Sequence, residues 1–309
     1  MSNVSSRPPR TIVVTACSAL FYDSYIDLIN SMEAVGISSQ YDLGVIDLGL
    51  TDENISRLAE RGVRRVAGDW PVTPPPGQDR PEFVAFAGKP FVRDYFPGYE
   101  VYVWMDADMW VQTPRFWHEL IDGALHQGCA VSEEKHPAYR PMPFKERFWM
   151  LRHLSRAFGP TSALKIASYP MVNNGSFSMH ADAPHWQPWQ ERFKTLVDRT
   201  QRMIAIDQLA MFAMIHLDKP GTVLSSALNN WVCSLGTPHW DPARGQFVAP
   251  DSESEAISVL HVTTPARARV FEVPTVGAEP TDHYLHRPDG KVVATLPTQP
   301  KRSIGAVVS

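Results

Sequence analysis

Two carboxylates separated by one residue, Asp106 and Asp108, directly follow the apolar run 101–105. Carboxylates this close repel each other unless a cation lies between them or one of them is protonated. Oxygen-rich sites of this kind suit Mg²⁺ or Mn²⁺, which in turn bind phosphate oxygens. The simpler alternative is an acidic turn that faces water. About one Asp-x-Asp triplet is expected by chance in a chain of this length, so the triplet alone does not establish a site. The apolar run directly before the pair favours the cation site.

A histidine later in the chain offers a third group for the same site. His261 lies inside the apolar run "VLHV". A lone histidine in such a run is more often a core residue whose hydrogen bonds are satisfied. If the run ends beside the Asp-x-Asp strand, however, the imidazole is a borderline ligand that completes a two-carboxylate site.

Two further groups of polar residues lie between the Asp-x-Asp pair and His261. Asn173 and Asn174 precede Gly175, which permits close backbone approach and suits hydroxyl recognition. The same triplet is also typical of the turn of a β-hairpin. Asp207 and Gln208 open a helical pattern, where the simplest interpretation is that they complement the helix dipole.

The segments around these residues have the pattern of a parallel α/β sheet. Short β-branched runs predict strands at 11–16 and 41–47, and a third, short strand is predicted at 63–68. Apolar residues at helical spacing predict a helix near 25–32 that Gly36 ends. A second helix is predicted within 51–62, with Thr51 as N-cap and Gly62 as its end. Strands alternating with helices predict a parallel sheet.

The apolar run before Asp106 is predicted to be a strand of the same sheet. Ligands of open α/β sheets bind outside the carboxyl ends of the strands, which is where this strand would deliver the carboxylates. We predict a flexible arm at 1–10, one domain at 11–264 and a C-terminal appendage at 265–309. Within the appendage, Pro-Asp-Gly predicts the turn of a hairpin at 286–294.

Composition excludes several function classes. The chain has 309 residues, 44% of them hydrophobic, and a formal net charge of -4, which argues against nucleic acid as a partner. The three cysteines show no CxxC spacing, so neither a disulfide framework nor a thiolate zinc site is indicated. The polar start of the sequence lacks the apolar segment of a signal peptide. We therefore expect a cytoplasmic protein.

Five stretches, taken in order, resemble retaining glycosyltransferases of the GT-A fold. The resemblance is closest to the family-eight group, which includes glycogenin-like and bacterial lipooligosaccharide galactosyltransferase-like enzymes. The stretches are "TIVVTACSALFYDSYIDLINSM", "GKPFVRDYFPGYEVYVWMDADMWV", "VNNGSFSM", "IDQLAMF" and "VLHVTT". The resemblance implies an α/β protein with a GT-A-type nucleotide-diphospho-sugar transferase fold, in which helices flank a single mixed, mostly parallel sheet.

The resemblance also implies roles for individual residues. Asp106, Asp108 and His261 would bind Mn²⁺ or Mg²⁺, which bridges the two phosphates of a nucleotide-sugar donor, expected to be UDP-linked. Lys89 would contact phosphate or sugar oxygens. The uracil and ribose pocket would be lined by Thr15 and Ala16, together with Tyr22 or Tyr25. The donor sugar and the reacting carbon would be surrounded by Asn173, Asn174, Asp207 and Gln208.

The sequence departs from the family after the late histidine. The family usually continues with a glycine and then a Lys-Pro-Trp that grips the diphosphate, whereas this chain reads "HVTTPARARVFEV". Arg267 and Arg269 are candidate substitutes, because a guanidinium pairs well with phosphate.

The function predicted is metal-dependent transfer of a sugar to a hydroxyl of a glycan, lipid or small molecule, with retention. Were the reaction inverting, Asp207 would be the candidate base. One alternative is a haloacid-dehalogenase-like phosphatase with Asp106 as nucleophile. That motif requires Thr or Val where this chain has Trp110, and a later acidic pair, yet the sequence contains no Asp-Asp. The other alternative is a non-catalytic protein that binds nucleotide-sugars.

The segment 144–158 combines aromatic and basic residues at near-helical spacing. One interpretation is an amphipathic helix packed on the sheet with a solvated basic side. The other is a peripheral contact with the inner face of a membrane, because basic amphipathic helices bind anionic headgroups.

Overall fold

The computed structural model describes residues 8–134, 144–225, 229–231, 237–250, 252–262 and 271–283. The helices in these ranges are α1 Tyr22–Ala34, α2 Asp52–Glu60, α3 Val84–Gly88, α4 Val92–Tyr95, α5 Arg115–Gln127, α6 Phe144–Phe158, α7 Pro160–Ile166, α8 Trp186–Thr200 and α9 Ile206–Ala213. The strands are β1 Thr11–Cys17, β2 Asp42–Asp47, β3 Arg64–Ala67, β4 Val101–Met105, β5 Met109–Val111, β6 Cys129–Glu133, β7 Val172–His180, β8 Thr222–Leu224, β9 Asn229–Trp231, β10 His239–Asp241, β11 Gln246–Ala249, β12 Ser252–Ala256, β13 Val259–His261, β14 Phe271–Thr275 and β15 Ala278–His283.

A seven-stranded sheet with the order β3-β2-β1-β4-β7-β6-β8 forms the centre of the protein. Strands β1 to β4 are mutually parallel, β7 runs antiparallel to both β4 and β6, and β8 is parallel to β6. Apolar clusters cover both faces of this sheet. The predicted mixed, mostly parallel sheet flanked by helices is confirmed, and two smaller sheets accompany it.

Local signals place the first elements where the sequence predicts them. Gly36 follows α1 with φ of +74° and Gly62 follows α2 with φ of +72°, a region that favours glycine. Thr51 caps α2, and its side chain and that of Asn54 each accept a hydrogen bond from the other residue's backbone N–H. Every residue of β4 is buried, as expected for a strand covered on both faces.

A three-stranded sheet brings a distant part of the chain to the end of β4. After Asp106 and Asp108 the chain turns into β5, which pairs antiparallel with β13, so that His261 lies opposite Met109. Strand β13 also pairs in parallel with β9. The apolar run around His261 therefore forms a strand, which belongs to this small sheet rather than to the central one.

A five-stranded sheet with the order β12-β11-β10-β14-β15 packs beside β13. The buried amide of Gln112 joins it to the end of β5. It donates to the carbonyl oxygens of Phe247 and Ile257 and accepts from the N–H of Phe247. Strands on both sides of residue 264, the predicted domain boundary, share this sheet. The hairpin predicted at 286–294 lies outside the described residues.

Helix α6 is amphipathic, as its spacing predicts. Leu154 and Ala157 are buried against the protein, whereas Phe148 is 64% exposed. The membrane contact of this segment stays a prediction. In the part of the chain that the structure describes, no helix is long and apolar enough to cross a membrane.

Candidate active site at the carboxyl end of the central strands

A tight turn presents the two carboxylates at the carboxyl end of β4. The N–H of Asp106 donates to the carbonyl oxygen of Gly175 at 2.7 Å, which ties the turn to β7. The N–H of Met109 donates to the carbonyl oxygen of Asp106 at 3.1 Å and closes the turn. Both carboxylates therefore leave the sheet at the edge where ligands of open α/β sheets bind.

His261 completes a three-residue cluster with these carboxylates. Its Nε2 lies 3.1 Å from Oδ1 of Asp108 and 3.8 Å from Oδ2 of Asp106. One ligand atom from each residue lies within 4.8 Å of the others. Burial acts to lower the pKa of His261, but the Asp108 carboxylate outweighs it and the net pKa is raised. Two carboxylates and one imidazole match the oxygen-rich ligand sets of Mn²⁺ and Mg²⁺.

Gly175 leaves the space that this cluster needs. A methyl group on its α-carbon would lie 2.5 Å from Cε1 of His261, 2.8 Å from Oδ1 of Asn173 and 2.9 Å from Oδ2 of Asp106. A side chain here would fill the cradle between the ligand atoms. The chemistry of the donor set and the shape of this cradle both fit a divalent cation.

Lys89 lies next to the cluster, between the carboxylates of Asp106 and Asp207. It is 3% exposed, and its Nζ is 3.0 Å from Oδ1 of Asp106 and 3.6 Å from Oδ2 of Asp207. Burial acts to lower the pKa of this ammonium group, but the two carboxylates outweigh burial and raise it. Lys89 therefore places a positive charge between the partly exposed carboxylate of Asp106 and the buried carboxylate of Asp207.

Asp207 is buried at the start of α9. Its Oδ2 accepts a hydrogen bond from Nδ2 of Asn174 at 2.8 Å, and its Oδ1 has no hydrogen-bond partner among the described residues. Burial raises the pKa of Asp207, and Lys89 and Asn174 only partly oppose it. The described residues thus leave one acceptor atom of this carboxylate unused, a feature typical of functional sites.

The other residues predicted around the donor sugar lie close by. Asn173 and Asn174 are inside β7, so the alternative of a hairpin turn is wrong. The Asn173 side chain accepts from the N–H of Gly175 at 3.0 Å. Nε2 of Gln208 donates to Oε2 of Glu134 at 2.8 Å.

Of the residues predicted to line the nucleotide pocket, some lie at the end of a central strand and others are buried in the core. Thr15 and Ala16 lie at the carboxyl end of β1, next to β4, and Oγ1 of Thr15 is buried with no partner among the described residues. Tyr22 and Tyr25 are buried in the apolar cluster that contains Val13. The Tyr25 hydroxyl donates to the carbonyl oxygen of Gly44. Arg267 and Arg269 lie outside the described residues.

Sequence reasoning missed two residues of this site, Trp104 and Glu134. The indole Nε1 of Trp104 donates to Oδ1 of Asp106 at 2.7 Å. Trp104 precedes Asp106 by two positions, and side chains two apart share a face of a strand, so the pattern could have revealed it. Glu134 follows β6 and contacts Gln208 across 74 residues, a pairing with no local signal.

The sequence matches no family model and no curated protein. Among solved structures, the protein named WbbM bifunctional glycosyltransferase is similar with a TM-score of 0.51 and 14% identity, covering 74% of this chain and 40% of that one. This chain thus spans well under half of that protein's length. An active-site mutant of LgtC, in which a glutamine is replaced by glutamate, is similar with a TM-score of 0.50 and 13% identity, covering 81% and 86% of the two chains. These likenesses confirm the GT-A fold.

Proposed function

We propose that this protein is a metal-dependent glycosyltransferase that moves a sugar from a nucleoside-diphosphate donor to a hydroxyl acceptor with retention. The observation that carries the proposal is the convergence of Asp106, Asp108 and His261 at the carboxyl end of β4. Lys89 joins this cluster to Asp207 through ion pairs. The fold shared with glycosyltransferases supports the same assignment. The donor is proposed to be UDP-linked on the sequence resemblance.

The three ligand residues would hold Mn²⁺ or Mg²⁺ against the diphosphate of the donor. When bound, the cation supplies charge stabilisation to the departing diphosphate. The protein's own residues then divide the remaining work. Lys89 would hold the Asp106 carboxylate in place and compensate its charge, so that the metal ligands are preorganised before the donor binds.

Asp207 and Asn174 would face the reacting carbon of the donor sugar. That carbon gains positive character as the bond to phosphate breaks, and a neighbouring carboxylate oxygen stabilises it. Oδ1 of Asp207, which has no partner among the described residues, is the oxygen available for this role. In the retaining reaction the acceptor attacks from the side of the leaving group, whose phosphate oxygen takes the hydroxyl proton, so no separate base is needed.

The acceptor class stays open between a glycan, a lipid and a small molecule. A cytoplasmic location, with a peripheral membrane contact through 144–158, is likewise proposed from the sequence. The phosphatase alternative needs an acidic second pair, whereas a histidine and a lysine complete this cluster. A non-catalytic protein would bind the nucleotide-sugar without turning it over, so an assay of turnover distinguishes it from a glycosyltransferase.

Thermal shift with UDP and Mn²⁺, followed by turnover of a panel of nucleotide-sugars, tests the proposal. We expect stabilisation that needs both additives, and metal-dependent hydrolysis of one sugar nucleotide. Stabilisation without any turnover supports the binding protein, and release of phosphate from sugar phosphates supports the phosphatase.

Variants of the acidic pair sharpen this test. Asp108→Ala and Asp106→Ala should each lower donor turnover at least about 100-fold, because a ligand matters no less than its outer partners. Asp108→Ala is the cleaner variant, because Asp106 also neutralises Lys89. The exposed carboxylate of Asp122 provides a control in Asp122→Ala. Full activity in either ligand variant, with circular dichroism unchanged, refutes the assignment.

A further inference from the structure

We propose that Trp104 is a positioning residue that decides which oxygen of Asp106 is available to the divalent cation. The inference rests on the metal site of the proposed function. It concerns a tryptophan that the sequence resemblance assigns no role.

The two oxygens of Asp106 have different neighbours. Nζ of Lys89 lies 3.0 Å from Oδ1 and donates a hydrogen bond to Oδ2 at 3.3 Å, so the ammonium group contacts both oxygens. Nε1 of Trp104 donates to Oδ1 alone, at 2.7 Å. Oδ2 is the oxygen that faces His261, at 3.8 Å from its Nε2. The indole N–H therefore occupies the oxygen on the protein side and leaves Oδ2 toward the cradle.

The tryptophan is held rigidly enough to impose this orientation. Its side chain is 1% exposed, and its ring stacks on Phe177 with 6.3 Å between centroids and 4° between planes. Nζ of Lys89 lies over the ring, 5.6 Å from its centroid. A ring packed in a core has few rotamers, so its N–H points in one fixed direction.

The consequence of losing this hydrogen bond is a carboxylate that is free to rotate on Lys89. Rotation would turn Oδ2 away from His261, so that the oxygen needed as a ligand would no longer face the cation. Partners that orient ligand side chains typically change metal affinity about 10- to 100-fold when they are removed. The effect falls on affinity, because the cation that does bind meets the same three ligands.

The test is Trp104→Phe, which removes the N–H and keeps an aromatic ring. Trp117→Phe is the matched control, because Trp117 is also 1% exposed and its Nε1 has no hydrogen-bond partner among the described residues. Binding of Mn²⁺ alone is titrated by calorimetry on the wild-type protein and on both variants. We expect Trp104→Phe to weaken binding about 10- to 100-fold and Trp117→Phe to leave it unchanged.

A second variant keeps the proposal testable if Trp104→Phe fails to fold. Phe177→Leu removes the stacking partner, leaves the indole in place, and is expected to weaken Mn²⁺ binding severalfold. In turnover assays, Trp104→Phe should raise the Mn²⁺ concentration for half-maximal rate and leave the rate at saturating Mn²⁺ close to that of the wild type. A loss confined to the saturated rate overturns the proposal, because it would show a role other than orienting the ligand.

The failures of the two proposals are distinguishable. Wild-type protein that binds Mn²⁺, with equal dissociation constants for Trp104→Phe and the wild type, overturns the role of Trp104 and leaves the glycosyltransferase proposal standing. Wild-type protein that binds no Mn²⁺, alone or with UDP, overturns the metal site and with it both proposals.

Discussion

Asp47 and Asp207 are two carboxylates at the same edge of the central sheet, with opposite surroundings. Asp47, at the end of β2, accepts from the N–H groups of Gly49 and Leu50 and from Nε of Arg65. Asp207 accepts from Asn174 with one oxygen and leaves the other without a partner among the described residues. The described residues therefore donate hydrogen bonds to both oxygens of Asp47 but to only one oxygen of Asp207.

The two environments move the pKa values in opposite directions. Burial acts to raise the pKa of Asp47, but the N–H of Leu50 and the Arg65 guanidinium outweigh it and lower the pKa below 3.8. Burial raises the pKa of Asp207, in spite of Lys89. The difference indicates two roles for carboxylates at strand ends. One whose oxygens all accept hydrogen bonds from the protein stabilises a loop, whereas a buried one with an unpaired oxygen is a candidate for binding a ligand.

Removing the cationic partner of each carboxylate should give the largest contrast. Lys89→Met leaves the charge of Asp207 buried and uncompensated, so we expect the free energy of unfolding to fall by about 3–5 kcal/mol. Arg65 is 44% exposed, and Asp47 keeps two backbone donors. Arg65→Met should therefore cost no more than about 1 kcal/mol. Urea denaturation measures the free energy of unfolding of both variants. Equal losses would show that the two carboxylates do not differ in their need for a cationic partner.

Neutralising each carboxylate should separate function from stability. Asp207→Asn keeps the shape and an acceptor for Asn174, and should lower donor turnover at least about 100-fold, because it removes the charge that the proposed function places at the reacting carbon. Asp47→Asn should leave turnover unchanged and lower the free energy of unfolding by about 1–2 kcal/mol, because charged acceptors make the stronger hydrogen bonds. The assays are donor turnover and urea denaturation. A turnover defect in Asp47→Asn would contradict the structural role assigned to it.

The smallest effect is a difference in pH dependence. The pKa of Asp47 is lowered from 3.8, so its contribution to stability is complete above that value and is lost as the pH falls through the folded-state pKa. The pKa of Asp207 is raised from 3.8, so the folded state binds more protons and stability falls as the pH rises above that value.

Free energies of unfolding from about pH 3 to about pH 7 measure this difference. Relative to Asp47→Asn, the wild type should gain stability as the pH rises at the acidic end. Relative to Asp207→Asn, it should lose stability as the pH rises. Slopes of the same sign would show that the two carboxylates titrate alike.

Local patterns were enough to predict the elements that deliver the site. The apolar run before Asp106 predicted β4, and Thr51 and Gly62 predicted the ends of α2. The carboxylate pair and His261 were predicted as ligands, and the structure brings them together. Each of these signals lies within a few residues of the feature it describes.

Contacts across long stretches of chain were not predictable in this way. The contact of Lys89 with phosphate or sugar oxygens stays a prediction, whereas the ion pairs of its ammonium group with Asp106 and Asp207 had no local signal in the sequence. The pairing of Gln208 with Glu134 and the small sheet around His261 also depend on how distant elements pack. Spacing along the sequence carries no information on such packing, because the strand order of the sheet determines it.

The pairing of His261 with Met109 limits how the chain can change in length. Successive side chains of a strand point to opposite faces, so one residue inserted into β13 would turn the imidazole away from Asp108 and present Leu260 instead. The exposed residues Pro76 and Gly77, in the proline-rich connection 71–80, have no such constraint, since they lie outside any helix or strand. A change in chain length is therefore compatible with the site at these two residues, whereas within 259–261 it would displace the imidazole.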